Sequence, residues 1–118
     1  MPAAHIEVGR AGEKAAARYL ESLGWQVVGS GFLARRGEID LVCRDGDRLV
    51  LVEVKTRSSD RYGSPAAAVG PRKRQALAAA AAEYRALAGW RGPIEFAIAA
   101  VTLREGAAPV VELLDWAF

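Results

Sequence analysis

The stretch that decides the fold runs from residue 38 to residue 57 and reads EIDLVCRDGDRLVLVEVKTR. Two runs rich in valine, leucine and isoleucine flank the turn sequence Asp45-Gly46-Asp47. A glycine beside aspartate between two such runs is a strong hairpin signal, because glycine accepts the positive φ that tight hairpin turns need. The stretch therefore predicts two antiparallel strands, over residues 38–44 and 48–56.

The register of this hairpin determines which side chains meet. A two-residue loop at Gly46-Asp47 pairs Asp40 with Glu53. A loop one residue earlier pairs Asp40 with Leu51 and leaves Glu53 as a diagonal neighbour about 7–8 Å away. Both registers place Asp40, Glu53 and Lys55 on one face, because side chains alternate along a strand. The other face is apolar and is expected to be buried: Ile39, Leu41, Cys43, Val50, Val52 and Val54.

Two carboxylates that meet at the end of a sheet repel each other unless a cation lies between them. Mg²⁺ is held by one or two carboxylates and completes its octahedron with waters and phosphate. We therefore expect Asp40 and Glu53 to hold Mg²⁺, with Mn²⁺ as an alternative, and the backbone carbonyl of Val54 to be a further ligand. Such an ion polarises a phosphate and lowers the pKa of an attacking water.

Lys55 follows Glu53 by two residues, so it lies on the same side about 6–7 Å along the strand. It is expected to orient or help deprotonate the attacking water, or to neutralise charge that develops on the phosphate. The simpler interpretation is an ion-pair ladder on a half-exposed hairpin. Against it, these charges interrupt a run that otherwise reads as buried, and buried charges are rarely retained without a partner.

The rest of the chain predicts helices on either side of this hairpin. A first helix is expected from about Val8 to Leu23, and a second opens at Pro71 and ends at Gly89. Further strands are expected over residues 25–28, with an extension to 36, and over 94–103 and 110–114. The order is helix, three strands, helix, two strands, which predicts one α/β domain over residues 1–118 with a flexible N-terminus at residues 1–7. The apolar stripe of the second helix is expected to comprise Leu77, Ala80, Tyr84 and Leu87.

The composition narrows the chemistry. The net charge is +2, but residues 31–75 carry ten bases against six acids, and thirteen of the sixteen bases in the chain are arginine. Arginine binds phosphate as a fork. The single cysteine excludes an internal disulfide, and no apolar segment is long enough to cross a membrane, so a cytoplasmic protein is expected. A single histidine, His5, argues against zinc or histidine-based catalysis.

Two segments carry a resemblance to a known group of enzymes. Gly37–Val42 (GEIDLV) and Leu51–Arg57 (LVEVKTR) resemble the PD-(D/E)xK nuclease signature. More closely, the chain resembles the YraN-like family of endonuclease-like proteins over nearly its whole length. The additional matching segments are Gly12-Glu13, Ala15–Ala17, Tyr19-Leu20, Gly63–Pro65, Pro71–Arg74 and Ala117-Phe118.

The resemblance implies a restriction-endonuclease-like fold, a three-layer α/β/α arrangement with a central mixed sheet, related to Holliday-junction resolvases. It implies that Asp40 and Glu53 hold the metal, that Lys55 is the catalytic lysine and that Glu13 is a supporting carboxylate. The helical pattern places Glu13 on the same face as Ala16 and Leu20, although a capping or surface glutamate near the helix start is the alternative. The resemblance also implies an Asp after the phenylalanine of the late strand, where this chain has Ala97.

Three basic clusters bracket the carboxylates in sequence, and we expect them to contact nucleic-acid phosphate. Bases in the first turn of the second helix oppose the helix dipole, and a phosphate bound there would relieve the conflict. The alternative is a solvated basic turn. Tyr62 and Trp90 are candidates for stacking on bases, although lone aromatic side chains are more often packing residues. The expected contact residues are Arg35, Arg36, Arg57, Arg61, Arg72, Lys73 and Arg74.

The function predicted from the sequence is a Mg²⁺-dependent endonuclease acting on DNA, including branched or flapped DNA. The second hypothesis is a nucleic-acid-binding module of the same fold with little or no cleavage. The third is a structural or protein-interaction domain, in which Trp116–Phe118 forms a docking element or part of the core. Symmetric cutting of both strands would suggest a two-fold homodimer.

Overall fold

The computed structural model describes the backbone over residues 2–58 and 70–115, and the side chains over residues 9–58 and 70–114. Its seven elements follow the predicted order. They are α1 (Pro2–Ser22), β1 (Gln26–Leu33), β2 (Glu38–Asp45), β3 (Arg48–Arg57), α2 (Pro71–Ala88), β4 (Ile94–Thr102) and β5 (Val110–Asp115).

The strands form one five-stranded mixed sheet in the order β1-β2-β3-β4-β5. Three of the pairings are antiparallel, and β3 pairs with β4 in parallel. The parallel pair is the one interrupted by α2, as expected, because parallel neighbours need a crossover connection. The chain is therefore an α/β fold built on a mixed sheet and two helices.

Two apolar clusters stabilise the sheet, one with each helix. Alternate residues of β3 enter different clusters: Leu49 and Leu51 pack with α2, and Val50 and Val52 pack with α1. This alternation is the period-two pattern of a strand that is covered on both sides. The α2 cluster also holds Leu77, Ala80, Ala81, Val42 and Ile98, and the α1 cluster holds Ala16, Leu20, Leu41, Cys43, Ala97, Ala99 and Val101.

Three expectations from the sequence differ from the structure. Helix α1 begins at Pro2 instead of near Val8; the flexibility expected of residues 1–7 stays a prediction. Ile39 packs in the α2 cluster, whereas Leu41 packs in the α1 cluster, so they do not share a face. Leu87 is 73% exposed and contributes nothing to the stripe of α2. Trp90, just beyond the helix, packs against the α2 cluster at that end.

Helix α2 begins and ends at the predicted signals. Pro71 occupies its first turn, where a missing backbone N–H costs nothing. Gly89 ends it in the left-handed conformation, with φ 66° and its N–H donating to the Arg85 carbonyl. Neither helix, over the residues described, has the length and apolar character needed to cross a bilayer.

Candidate metal site

The hairpin adopts the register in which the loop is Gly46-Asp47. Arg44 pairs with Leu49 and Val42 with Leu51, and Gly46 has a φ of 62°. The pairing of β2 with β3 ends at Leu41 and Val52. If this register is extended by one residue, Asp40 lies opposite Glu53.

At Asp40 a side chain replaces the sheet hydrogen bond. The backbone N–H of Val54 donates to Asp40 Oδ2 at 2.8 Å, so the carboxylate occupies the position that a carbonyl of β2 would take in a continued ladder. The change of face between Ile39 and Leu41 occurs at this same residue. The backbone ladder between β2 and β3 therefore ends at Asp40, whose carboxylate lies between the two strands.

Glu53 is the buried acid of the site. It is 6% exposed and is the one buried charged residue among those that the structure describes. Its Oε1 lies 3.5 Å from Lys55 Nζ and 3.4 Å from Lys73 Nζ, whereas its Oε2 is buried and accepts no hydrogen bond while Asp40 is ionised. A buried carboxylate oxygen without a donor is costly, so a cation, a water or a proton shared with Asp40 would stabilise it.

Burial and neighbouring carboxylates raise the pKa of two acids of the site, Asp40 and Glu13. The pKa of Asp40 is raised from 3.8 to about 7, first by burial and then by the charge of Glu53; the Val54 N–H opposes this shift, and a hydrogen bond from protonated Asp40 to Glu53 adds to it. The pKa of Glu13 is also raised, by burial and by the charges of Glu38 and Glu53. Negative charge therefore accumulates at the open end of the hairpin beyond what the two lysines neutralise.

This raised pKa predicts how the metal-free protein responds to pH. Because the pKa of Asp40 is higher in the folded state, the folded protein takes up a proton between about pH 4 and about pH 7. Its free energy of unfolding is therefore expected to fall as the pH rises across that interval. Urea unfolding with EDTA across this range measures the slope, and Asp40→Asn should flatten it; an equal slope in both proteins would contradict the assignment.

The donor set fits a hard divalent cation. Within residues 9–58 and 70–114, no three acidic, histidine or cysteine side chains converge as a complete ligand set. The ligands would be Asp40, Glu53 through its unpartnered Oε2, and the Val54 carbonyl, which points to the same side of β3 as the Val54 N–H. Two carboxylates with waters and substrate oxygens are what Mg²⁺ accepts.

Helix α1 reaches the site through a close contact at Gly12. A Cβ added there would overlap Thr56 Oγ1 and lie 2.8 Å from Thr56 Cβ, so only glycine permits this approach of α1 to β3. The next residue, Glu13, is half-buried, and the charge of Glu53 contributes to its raised pKa. Gly12 is therefore what allows α1 to bring a third carboxylate towards the pair.

Gly12→Ala is expected to destabilise the protein by about 1–3 kcal/mol, because the added methyl must push α1 away from β3. The matched control is Gly9→Ala in the same helix, where nothing lies within 4 Å of the added atom. That control should gain about 0.5–1 kcal/mol from helix propensity. Urea denaturation of both variants measures the difference, and a Gly12→Ala protein as stable as the control would refute the contact.

A profile of the group described as "Uncharacterised protein family UPF0102" matches residues 12–103, a range that contains every described residue of the site. The chain belongs to the UPF0102 family. A UPF0102 protein of Solibacter usitatus is 48% identical over 114 residues, which are 93% of this chain and 84% of the relative. One from Anaeromyxobacter dehalogenans is 42% identical over 112 residues, 94% and 83% of the two chains. A third, from Syntrophus aciditrophicus, is 47% identical over 73 residues, 62% of this chain and 58% of the relative.

The bases of this UPF0102 member are distributed over two surfaces near the site. Arg35, Arg36, Arg72 and Arg74 are exposed, and Lys73 instead contacts Glu53. Arg57, two residues beyond Lys55, lines a cavity of about 240 Å³ with Arg104, Thr102 and Glu112. Arg61 lies outside the described residues, as does Tyr62. Contact of all these bases with nucleic acid stays a prediction.

Two residues near the site, Lys73 and Arg104, were harder to assign from the sequence. Lys73 reaches Glu53 from a different element, and Arg104 joins Arg57 because parallel pairing sets Arg57 beside Thr102. The only advance signal was the adverse position of Lys73 at the start of a helix. The aromatic candidate Trp90 is a packing residue, since its indole N–H donates to the Pro93 carbonyl at 3.1 Å and its ring contacts the α2 cluster.

Strand β4 of this family member has Ala97 where the resemblance to nucleases implies an Asp after Phe96. Ala97 is buried in the α1 cluster and is paired with Val52. Glu95 is 54% exposed in its side chain and binds Arg48 at 2.6 Å, near the turn end of the hairpin. Glu95 therefore does not supply the acid that is absent at position 97.

Proposed function

We propose that this chain is a metal-dependent phosphodiesterase acting on DNA, with a restriction-endonuclease-like core. The observation that carries the proposal is the pair of neighbouring carboxylates where the β2–β3 ladder ends: Asp40, with its raised pKa, and Glu53, with one buried oxygen that no N–H group satisfies. A site kept only for stability would have satisfied that oxygen or replaced it by an apolar side chain. Titratable groups with perturbed pKa values cluster at functional sites.

The position of each residue at the site suits it to a different role. Asp40 accepts from the Val54 N–H through Oδ2, and Glu53 contacts two lysines through Oε1, which leaves Asp40 Oδ1 and Glu53 Oε2 as the oxygens that would hold an ion. Mg²⁺ there would polarise the scissile phosphate and lower the pKa of a bound water. Lys55, half-exposed on the same strand face, would orient that water or neutralise charge on the phosphate. Glu13 would add negative charge from α1.

The surrounding bases are suited to holding the DNA backbone. Arg57 and Arg104 line the cavity beside Lys55, and Arg72 and Arg74 are exposed at the start of α2. Guanidinium groups bind phosphate without reading bases, so the substrate would be selected by shape, such as a branch or flap.

A second candidate is a nucleic-acid-binding domain with little or no cleavage. It is favoured by Ala97, which fills the position of the implied late-strand acid with a buried apolar side chain. Both candidates require phosphate contacts, so both require affinity for DNA that weakens steeply with salt. They differ in whether a metal bound at Asp40 and Glu53 supports hydrolysis.

The test is a Mn²⁺ titration followed by incubation with duplex, single-stranded, flapped and four-way DNA in Mg²⁺ or Mn²⁺. The proposal expects one cation per chain and cleavage of at least one DNA form. A protein that binds the ion and DNA but cuts no form would support the binding domain. A protein that binds neither the ion nor DNA would overturn both candidates.

A further inference from the structure

The contact between Lys73 and Glu53 links two elements at the centre of the site. Lys73 Nζ lies 3.4 Å from the same oxygen, Oε1, that Lys55 approaches to 3.5 Å. Glu53 is nine-tenths buried, and its second oxygen has no N–H donor. Each positive charge near this carboxylate therefore compensates a charge that water cannot reach.

The position of Lys73 has no local explanation. It lies in the first turn of α2, which contains no acidic residue and has no side-chain cap on its first N–H groups. A base at a helix N-terminus opposes the helix dipole. Its neighbours Arg72 and Arg74 are exposed to solvent, but Lys73 is turned inward onto Glu53. Burial of the glutamate is what makes this contact favourable.

We propose that Lys73 is the counter-ion of Glu53 in the metal-free protein and that a divalent cation displaces it on binding. The proposal rests on the function proposed above. A cation at Oε2 and Asp40 supplies two positive charges next to the same carboxylate, so a second lysine becomes excess charge. The two lysine side chains are similarly exposed, Lys55 at 37% and Lys73 at 41%, but they differ in their elements. Lys55 is on the strand that carries Glu53, whereas Lys73 is in the first turn of α2, from which its side chain can turn outward beside Arg72.

The inference predicts an inverse relation between stability and metal affinity. If Lys73 compensates Glu53 only before the ion binds, then removing its charge destabilises the metal-free state more than the loaded state. By linkage, the variant must bind the ion more tightly. A residue that merely supports the structure would destabilise both states equally and leave the affinity for the ion unchanged.

The experiment compares Lys73→Gln, which keeps a hydrogen-bond donor without the charge, with Arg72→Gln in the same turn. Mn²⁺ affinity is measured by calorimetry and melting temperature is measured with EDTA and with saturating Mn²⁺. For Lys73→Gln we expect about tenfold tighter Mn²⁺ binding, a lower melting temperature in EDTA, and a difference from wild type that shrinks in Mn²⁺. Arg72→Gln and Lys73→Arg should match wild type in all three measurements.

The outcomes separate this inference from the proposed function. Wild-type protein that binds Mn²⁺ while Lys73→Gln binds it equally or more weakly overturns the displacement of Lys73 and leaves the metal site in place. Wild-type protein that binds no Mn²⁺ overturns the metal site, and the inference with it. If the glutamine variant proves too unstable in EDTA, Lys73→Met purified in Mn²⁺ and then titrated with chelator gives the same affinity comparison.

Discussion

Asp40→Asn is expected to reduce DNA cleavage at saturating Mg²⁺ by about 100-fold or more. The substitution removes one of two carboxylates that would hold the ion, and positioned metal charge contributes several kcal/mol to transition states of this kind. Asparagine keeps an oxygen that can accept from the Val54 N–H, so the end of the β2–β3 ladder at this residue is preserved. The loss would therefore come from charge at the metal and not from a change of fold.

The same variant is expected to be more stable than wild type without metal. At about pH 8 the ionised Asp40 carries the free-energy cost that its raised pKa records, on the order of 2 kcal/mol after allowing for solvent screening. Removing that charge should raise the melting temperature by about 5 °C or more. A gain in stability with a loss of activity is the signature of a residue kept for function.

The matched control is Asp47→Asn, which removes the same charge from an exposed position in the hairpin turn. It should change neither cleavage nor the melting temperature by a measurable amount. Cleavage rates and thermal melts in EDTA of the three proteins complete the comparison. An Asp40→Asn protein that is less stable and equally active would show that Asp40 is a structural residue of the hairpin.

The convergence of Asp40, Glu53 and Lys55 was accessible from sequence because it depends on local rules. The turn at Gly46 sets the register, and strand alternation then places Glu53 and Lys55 on one side. The structure has the Gly46-Asp47 register, and it brings Lys55 Nζ within 3.5 Å of Glu53 Oε1. The turn signal and the strand alternation predict the same arrangement, which is why residues 38–57 sufficed to locate the candidate site.

The failures concern contacts that local rules do not determine. Strand alternation predicts Ile39 on the same face as Leu41. In the structure the two side chains lie on opposite faces of β2, because the regular alternation is interrupted at Asp40, whose side chain accepts the Val54 N–H. Leu87 was placed in the core by helical spacing, but Trp90 packs against the α2 cluster at that end. In each case a tertiary contact overrides the periodic pattern, and only coordinates show which residue prevails.

Lys73 illustrates the same limit within the site. Twenty residues separate it from Glu53, and most of those between α2 and β3 lie outside the described segments. Whether a lysine in the first turn of α2 faces solvent or the sheet depends on how that helix is rotated about its axis. The adverse dipole at that turn indicated an anionic partner, and in the structure the anion is a carboxylate of the protein itself.

Lys55→Met is expected to reduce cleavage by about 10²–10⁴-fold without weakening Mn²⁺ binding. A positioned proton-transfer or charge-stabilising group typically contributes this much to the rate. Lys55 touches Glu53 through Oε1, the oxygen opposite the one available to the ion, so removing it leaves the ligands in place. The main effect should therefore appear in the rate constant of the metal-saturated protein, and the affinity for the metal should not fall.

The lysines provide the control for this prediction. Lys14→Met on the exposed surface of α1 should leave the rate unchanged. Lys73→Gln should mainly alter Mn²⁺ affinity, whereas Lys55→Met should mainly alter single-turnover cleavage. If Lys55→Met cut DNA at the wild-type rate, this lysine would be only a second counter-ion of Glu53. If instead the two variants differ as expected, the two lysines on one carboxylate oxygen serve different steps. Lys55 is carried by the strand that presents the metal ligands, and Lys73 is carried by a helix that can release it.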